Sequence, residues 1–251
     1  MTVQEQTAPT GAGVLTNADG LIILTRPETA KKDTITIKIP DLFISIVGKP
    51  RELNPFLEET TSTDDWACKI KWLGYKDRIL TVDEYLAFRR PSSGMGPTWS
   101  VTEANKIPCE VVEHPSVEIF RDLVIDIVSI ANDIYSCPKD IPNGEGSNII
   151  SVLLRQGYSL QDAIDEAGKM VLDRYKIWEQ AVRDLPSWGE EVDAVVLKLV
   201  QAYSNVCWGN MNWSFVTSRY MGNEKEQART TGLLTFAAKD IEKTARLPQS
   251  S

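Results

Sequence analysis

Apolar positions recur at helical spacing along most of this chain, and each run is bounded by residues that start or stop helices. The clearest run opens at Thr81, an N-cap residue with Glu84 three positions on, the pairing of a capping box. Tyr85, Leu86 and Phe88 give this helix its apolar side. Pro91 predicts its end, and Gly94, Gly96 and Pro97 reinforce the break. Pro115 suits the first position of a second helix. Behind it Val117, Phe120, Val124, Ile127, Val128, Ile130 and Ile134 fall on more than one side, so this helix is expected to be central and buried. Pro142, Asn143 and Gly144 form the loop that follows. Ser147 to Leu154 reads as a short helix. Ser159 caps a long one that runs to about Leu185, ahead of Pro186. Glu190 to about Gly209 is another, carrying Val192, Val195, Val196, Leu199, Val200 and Tyr203. The pattern predicts an all-α fold.

The ends of the chain are less patterned. Residues 1–37 read as a flexible tail rich in Thr, Ala, Gly and Lys. Thr34 to Ile39 alternates polar and apolar residues, as a short strand does. No partner strand follows it directly, so an extended lead-in is expected instead. Asn54-Pro55 opens a polar-periodic segment, with a helix expected over about 55–73. The chain turns polar again after about 238. These boundaries give a helical domain over 38–238, followed by a polar tail over 239–251.

Composition narrows the chemistry. The 251 residues suffice for one domain with a sizeable core. A net charge of −8 argues against broad nucleic-acid binding, which needs a basic footprint. It leaves room for a small basic pocket around a phosphorylated ligand. Cys68, Cys109, Cys137 and Cys207 form no CxxC pair, and His114 is the sole histidine, so zinc ligation is not expected. Four reduced cysteines suit a cytoplasmic protein. No basic start leads into an apolar core, so no secretory signal is read. The most apolar run, Leu123 to Ala131, is broken by Asp126 and falls short of the ~20 residues a membrane span needs.

The candidate chemistry lies on the central helix. Asn132, Ser136 and Asp140 are spaced i, i+4, i+8 and fall on one helix face within ~80°. They offer an amide oxygen, a hydroxyl and a carboxylate, hard ligands that suit magnesium. On spacing alone, a solvated polar stripe is the commoner explanation of such a pattern. Context changes that. The string Asn132-Asp133-Ile134-Tyr135-Ser136-Cys137-Pro138-Lys139-Asp140 resembles the second metal motif of the fungal class I sesquiterpene synthase family. The resemblance implies that Asn132, Ser136 and Asp140 bind one magnesium ion and that Lys139 contacts a diphosphate. The motif departs from the family in two ways. Asp140 replaces the usual Glu, and Pro138 lies inside the motif. Pro138 either kinks the helix, drawing Asp140 away from Asn132, or marks its end.

Two more segments agree in order and spacing. Glu84 to Gly94 resembles the family's diphosphate-sensor segment, which implies that Arg90 senses the diphosphate, Ser93 links, and Gly94 breaks the helix near the reacting centre. An Arg fork suits phosphate oxygens. Asn212 to Tyr220 resembles the C-terminal Arg-Tyr signature, which implies that Arg219 and Tyr220 reach the diphosphate. Shorter echoes are Ile39-Pro40-Asp41-Leu42, Asn54-Pro55-Phe56 and Leu185-Pro186-Ser187. The resemblance covers roughly 38–222 and implies an incomplete class I terpenoid synthase helical fold, with N-proximal helices of the bundle missing.

The family's other metal motif, an Asp-rich DDxxD-type cluster that carries two further magnesium ions, has no counterpart in the sequence. Asp64-Asp65 is followed by no third acid, and Asp83-Glu84 belongs to the sensor segment. An internal deletion near 67–80 is read from this. The family activity is magnesium-dependent cyclisation of farnesyl diphosphate, or another prenyl diphosphate. Trp208, Trp213 and Phe215 are candidates to face a carbocation, or else to pack the core. With at most one of three magnesium sites recognisable, the expectation is a terpene synthase-like protein with impaired or absent turnover. The alternatives are an active cyclase using the remaining motif, or a non-catalytic helical interaction protein. Apolar surface left bare by the missing helices would favour a homodimer.

Overall fold

The structure, a computed structural model, describes residues 14–16, 22–24, 34–42, 79–93, 107–144 and 146–245. Short strands β1 (Val14–Thr16) and β2 (Ile22–Leu24) pair antiparallel. Strand β3 (Thr34–Lys38) precedes helix α1 (Val82–Ser92) and the one-turn helix α2 (Cys109–Val112). The long helices follow: α3 (Pro115–Asp140), α5 (Leu160–Arg183) and α6 (Glu190–Val216), with the short α4 (Ile149–Arg155) between the first two. A 3-10 turn (Gly222–Glu224), α7 (Lys225–Thr231), β4 (Leu233–Ala237) and α8 (Ala238–Ala245) complete the described chain. No helix among the described residues is long and apolar enough to cross a membrane.

Helix α3 is the axis of the core, as its apolar pattern predicts. It is buried without a break from Leu123 to Ala131. Ala163, Ile164, Ala167, Met170, Val171 and Tyr175 form the buried stripe of α5, and Val196, Leu199, Val200, Tyr203, Cys207 and Met211 that of α6. Both helices pack chiefly on α3. Three- and four-residue spacing turns each stripe toward one neighbour. Phe120, fully buried, meets Trp178 edge to face at 4.8 Å.

The helix starts follow from local chemistry. Thr81 and Glu84 form a complete capping box at α1. Pro115 opens α3, with the ring of His114 accepting the Ser116 amide at 3.2 Å. The single histidine is thus a cap. Ser159 caps α5 through the Asp162 amide at 3.2 Å. At α6 the cap is indirect: Asp193 accepts from Ser187 Oγ (2.6 Å) and the Trp188 amide (2.7 Å).

Several expectations are corrected. The segment at 34–39 is not an unpaired lead-in. Its partner is β4, some two hundred residues on, with Thr34 opposite Ala237 and Lys38 opposite Leu233. A partner that distant leaves no local signal. Ile39 then donates to the Gly232 carbonyl at 2.7 Å, and Gly232 takes φ 68° at the end of α7. Pro40 lies against Gly168 of α5 so closely that a Cβ there would come within 2.6 Å of the proline ring. Helix α6 runs past Gly209 to Val216. The polar stretch after 238 forms α8, which buries Ile241 and Thr244 against the bundle. The short helix begins at Ile149, capped by Asn148, two residues later than Ser147. The helix expected over about 55–73, the Asp64-Asp65 pair, Cys68, Asn54-Pro55-Phe56 and Gly94 lie outside the described residues. Cys109, Cys137 and Cys207 are unpaired.

Candidate metal and diphosphate site

The C-terminal end of α3 gathers the predicted ligands. The helix does not break at Pro138. It stays wound through Asp140, and Ile141 still donates to the Cys137 carbonyl at 3.0 Å. Ser136 Oγ therefore reaches Asp140 Oδ2 at 2.5 Å, and neither a kink nor an early end carries the acid away. Lys139 Nζ lies 2.5 Å from Asp140 Oδ1. Asn132, one turn back, donates its amide nitrogen to the Tyr220 hydroxyl at 2.8 Å. That contact commits the nitrogen, which leaves the amide oxygen as the group available to a hard cation.

The Arg-Tyr pair converges on the same place. Tyr220 is 9% exposed and stands edge-on to Trp213, with ring centroids 5.6 Å apart. The Arg219 guanidinium carbon lies 5.9 Å from the centre of the Tyr220 ring, within cation–π range. Arg219 and Tyr220 follow the end of α6, whose extension past Gly209 delivers them there.

Asn148 was not picked out by sequence reasoning. Its side-chain nitrogen donates to the Asp133 carbonyl (3.0 Å) and Asp140 Oδ2 (3.2 Å), while its oxygen caps Ile150 at 2.9 Å. It ties the candidate ligand face to the start of α4. An Asn before an Ile-Ile run is an N-cap signal, which the Ser147 start passed over.

Arg89 was missed as well. It lies 3.3 Å from Asp133 Oδ1. Tyr85 OH donates to Asp133 Oδ2, which also accepts the Ile149 amide at 2.6 Å. Burial pushes the Asp133 carboxyl up to about 6, while Arg89 and these hydrogen bonds hold it down. Burial alone would lower the Arg89 pKa, yet Asp133 and Tyr85 carry it above its ordinary value, so its charge is fixed.

Arg90 goes elsewhere. Its fork grips Asp126 at 3.0 and 3.1 Å and reaches Asp122 at 3.1 Å. Arg174 of α5 holds the same Asp126 at 3.1 Å. Asp126 is fourteen residues before Asp140, about 21 Å along the helix. Ser93 donates to the Arg90 carbonyl at 3.2 Å. The structure thus joins Ser136 and Lys139 at Asp140, places Tyr220 with Arg219 on Asn132 of the same helix, and engages Arg90 with Asp126 and Ser93 with the Arg90 carbonyl. Of the aromatic candidates, Phe215 is buried against Tyr135 and Trp208 packs against the core, whereas Trp213 is 48% exposed beside Tyr220.

The donor set fits a divalent cation. An amide oxygen, a hydroxyl and a carboxylate share one face of a rigid helix, and Ser136 is already within hydrogen-bond distance of Asp140. Magnesium takes few protein ligands and completes its shell with water and phosphate oxygens. Lys139, beside the same carboxylate, occupies part of that space as a cation does.

Residues 56–177 match the family described as "Terpene synthase family 2, C-terminal metal binding". Terpene cyclase 4 of Gibberella fujikuroi is 37% identical over 157 residues, 61% of this chain and 43% of that protein. Silphinene synthase of Penicillium patulum is 40% identical over 153 residues, 60% of this chain and 41% of that protein. A sesquiterpene synthase of Cyclocybe aegerita is 33% identical over 174 residues, 68% of this chain and 49% of that protein. The chain spans less than half the length of each. A solved cucumene synthase variant superposes with a TM-score of 0.50 at 20% identity, over 58% of this chain and 50% of that one, a likeness of fold.

Proposed function

Since this chain belongs to the terpene synthase family, we propose that the end of α3 binds one magnesium ion together with the diphosphate of a prenyl substrate, farnesyl diphosphate being the expected one. The observation that carries the reading is the shared helix face of Asn132, Ser136 and Asp140, held next to Lys139 and Tyr220. The bound metal supplies positive charge to the departing diphosphate. The chain's own residues do the rest. Asp140 holds Lys139 in the apo form. A cation held by Asp140 would compete with Lys139 for that carboxylate, and the three ammonium donors of Lys139 suit phosphate oxygens. Arg219, on the exposed side of Tyr220, closes over the same anion, and Tyr220 keeps the Asn132 amide facing the site. Arg90, with Ser93, joins only by letting go of Asp126, which Arg174 retains.

With a single metal motif in the sequence, this chain binds the substrate head and turns it over weakly or not at all. A complete site sets three cations against the diphosphate, and the proposal leaves two of these positions without ligands. The reading is tested by titrating purified protein with manganese in the presence of inorganic diphosphate, then incubating it with magnesium and farnesyl diphosphate under headspace gas chromatography. One cation per chain and only trace hydrocarbon are expected. An absence of cation uptake sinks the proposal.

A second reading, an active sesquiterpene cyclase, has one observation in its favour: identity of 37% and 40% to relatives named as a terpene cyclase and a silphinene synthase. It requires robust formation of cyclic hydrocarbons that is lost in Asp140→Ala.

A further inference from the structure

Proline inside a helix removes the amide that would bond the carbonyl four residues back, and its ring crowds that carbonyl. For Pro138 the affected carbonyl is that of Ile134. Ile134 and its surroundings are buried, with Ile134 and Cys137 both 0% exposed, so water is not at hand to satisfy the oxygen. Yet α3 remains helical for two residues beyond Pro138, and Asp140 stays beside Ser136. The missing donor has a replacement. Cys137 Sγ donates to the Ile134 carbonyl at 3.0 Å. A short side chain with a polar hydrogen can reach back by three or four residues to a helical carbonyl, and a thiol is a weak donor of that kind.

We infer that Cys137 is a positioning residue for the metal site: its thiol takes over the Ile134 carbonyl that Pro138 leaves without an amide, and so keeps Asp140 on the face shared with Ser136 and Asn132. The inference rests on the reading of that face as a metal site. Cys137 need not touch the cation. Its task exists because of Pro138, so the two residues form a compensating pair. A cysteine that merely filled space would show no such dependence.

That dependence is the test. Cys137→Ala, Cys137→Ser, Pro138→Ala and the double Cys137→Ala/Pro138→Ala chain are each titrated with manganese, read by electron paramagnetic resonance, with inorganic diphosphate present. Cys137→Ala is expected to weaken manganese binding about fivefold, the effect of one orphaned buried acceptor. Cys137→Ser, which keeps a donor, stays within about twofold of the parent, the weaker end of the same range. In the Pro138→Ala background the backbone amide returns, and removing the thiol changes affinity by less than about twofold. Equal losses from Cys137→Ala in both backgrounds overturn the inference while leaving the metal site standing. A parent chain that binds no manganese overturns the metal site and this inference with it. A Cys137→Ala chain that fails to fold by circular dichroism is judged in the same way: Pro138→Ala either rescues folding, as expected, or does not, which overturns the pairing.

Discussion

The two halves of α3 carry acids of the same kind and treat them oppositely. In the first half, Asp126 is gripped by Arg90 from α1 and Arg174 from α5, and Asp122 adds a further contact to Arg90. In the last two turns, Asp140 meets a single cation, Lys139, its neighbour in sequence, and two neutral donors, Ser136 and Asn148. The first arrangement is closed: cations from other helices lock α3 to the bundle. The second is open: its oxygens are held by the local chain, and a ligand can replace Lys139 without unpacking a helix. Residue type alone does not separate a structural acid from a ligand. On the proposed function, what separates Asp140 from Asp126 is whether the partner comes from a packed neighbour or from the same short stretch.

Between these two acids lies Asp133, as buried as Asp126 and likewise paired with an arginine of α1. Arg89→Met would leave Asp133 buried beside Tyr85 with no counter-charge. Breaking one partner of such a pair costs about 3–5 kcal/mol, the largest effect expected here, measured by urea unfolding at pH 7. The deficit should shrink toward pH 5. Asp133 already titrates near 6 in the folded chain against an ordinary 3.8. A carboxyl raised in this way stabilises the fold below its unfolded pKa, and that contribution is lost as pH rises through the folded value. Removing Arg89 raises the folded value further, so acid helps the variant more than the parent. A deficit that is constant across this range would mean that Asp133 stays ionised.

Asn148→Ala comes next and tests how the open region is supported. The substitution removes an N-cap and a buried donor to two oxygens of α3, at about 2 kcal/mol. Thermal unfolding should report the loss, and manganese affinity should fall with it because Asp140 loses a donor. A stability loss with unchanged affinity would reduce Asn148 to a cap.

Asp140→Ala separates the regions most cleanly. Manganese binding in the presence of diphosphate should drop at least about tenfold, or ~1.4 kcal/mol, as one of three protein ligands goes. Stability should fall by only about 1–1.5 kcal/mol, because Ser136 and Asn148 lose a buried acceptor while the desolvation of the Asp140 carboxylate is relieved. The converse, a large stability loss and little change in binding, would place Asp140 with Asp126 among the structural acids.

The fold and the shared face of the candidate ligands were legible for the same reason. Capping at Thr81, Pro115 and Ser159, the buried centre of α3, and the Asn132–Ser136–Asp140 face all follow from spacings of three, four and eight residues along single helices. What stayed hidden depends on distant partners. The β3–β4 pairing joins residues about two hundred apart. The last helix reads as polar because only Ile241 and Thr244 of its residues are buried. Arg89 and Arg90 are adjacent in sequence but point about 100° apart on a helix, so one meets Asp133 and the other Asp126. No local pattern says which arginine faces which acid. Pro138 gave a warning of a break, yet the helix continues to Asp140 with Cys137 Sγ donating to the Ile134 carbonyl, a contact between side chain and backbone that hydrophobic periodicity does not record.

Arg90→Gln is the finest cut between the two regions. Sequence resemblance assigns Arg90 to the diphosphate, whereas its fork in this structure is engaged by Asp126 and Asp122. The side chain is 41% exposed, so losing these ion pairs should cost no more than about 1 kcal/mol, and Asp126 keeps Arg174. If Arg90 reaches the ligand only after leaving Asp126, Arg90→Gln should weaken diphosphate binding about two- to threefold in calorimetric titration with magnesium present. Lys139→Gln, which removes a cation already at the site, should weaken it at least about tenfold, as loss of one charge-assisted hydrogen bond would. Equal losses from the two variants would put Arg90 at the diphosphate from the outset and erase the boundary between the halves of α3. No loss from Arg90→Gln would confine it to the closed half, with Arg219 and Lys139 carrying the anion.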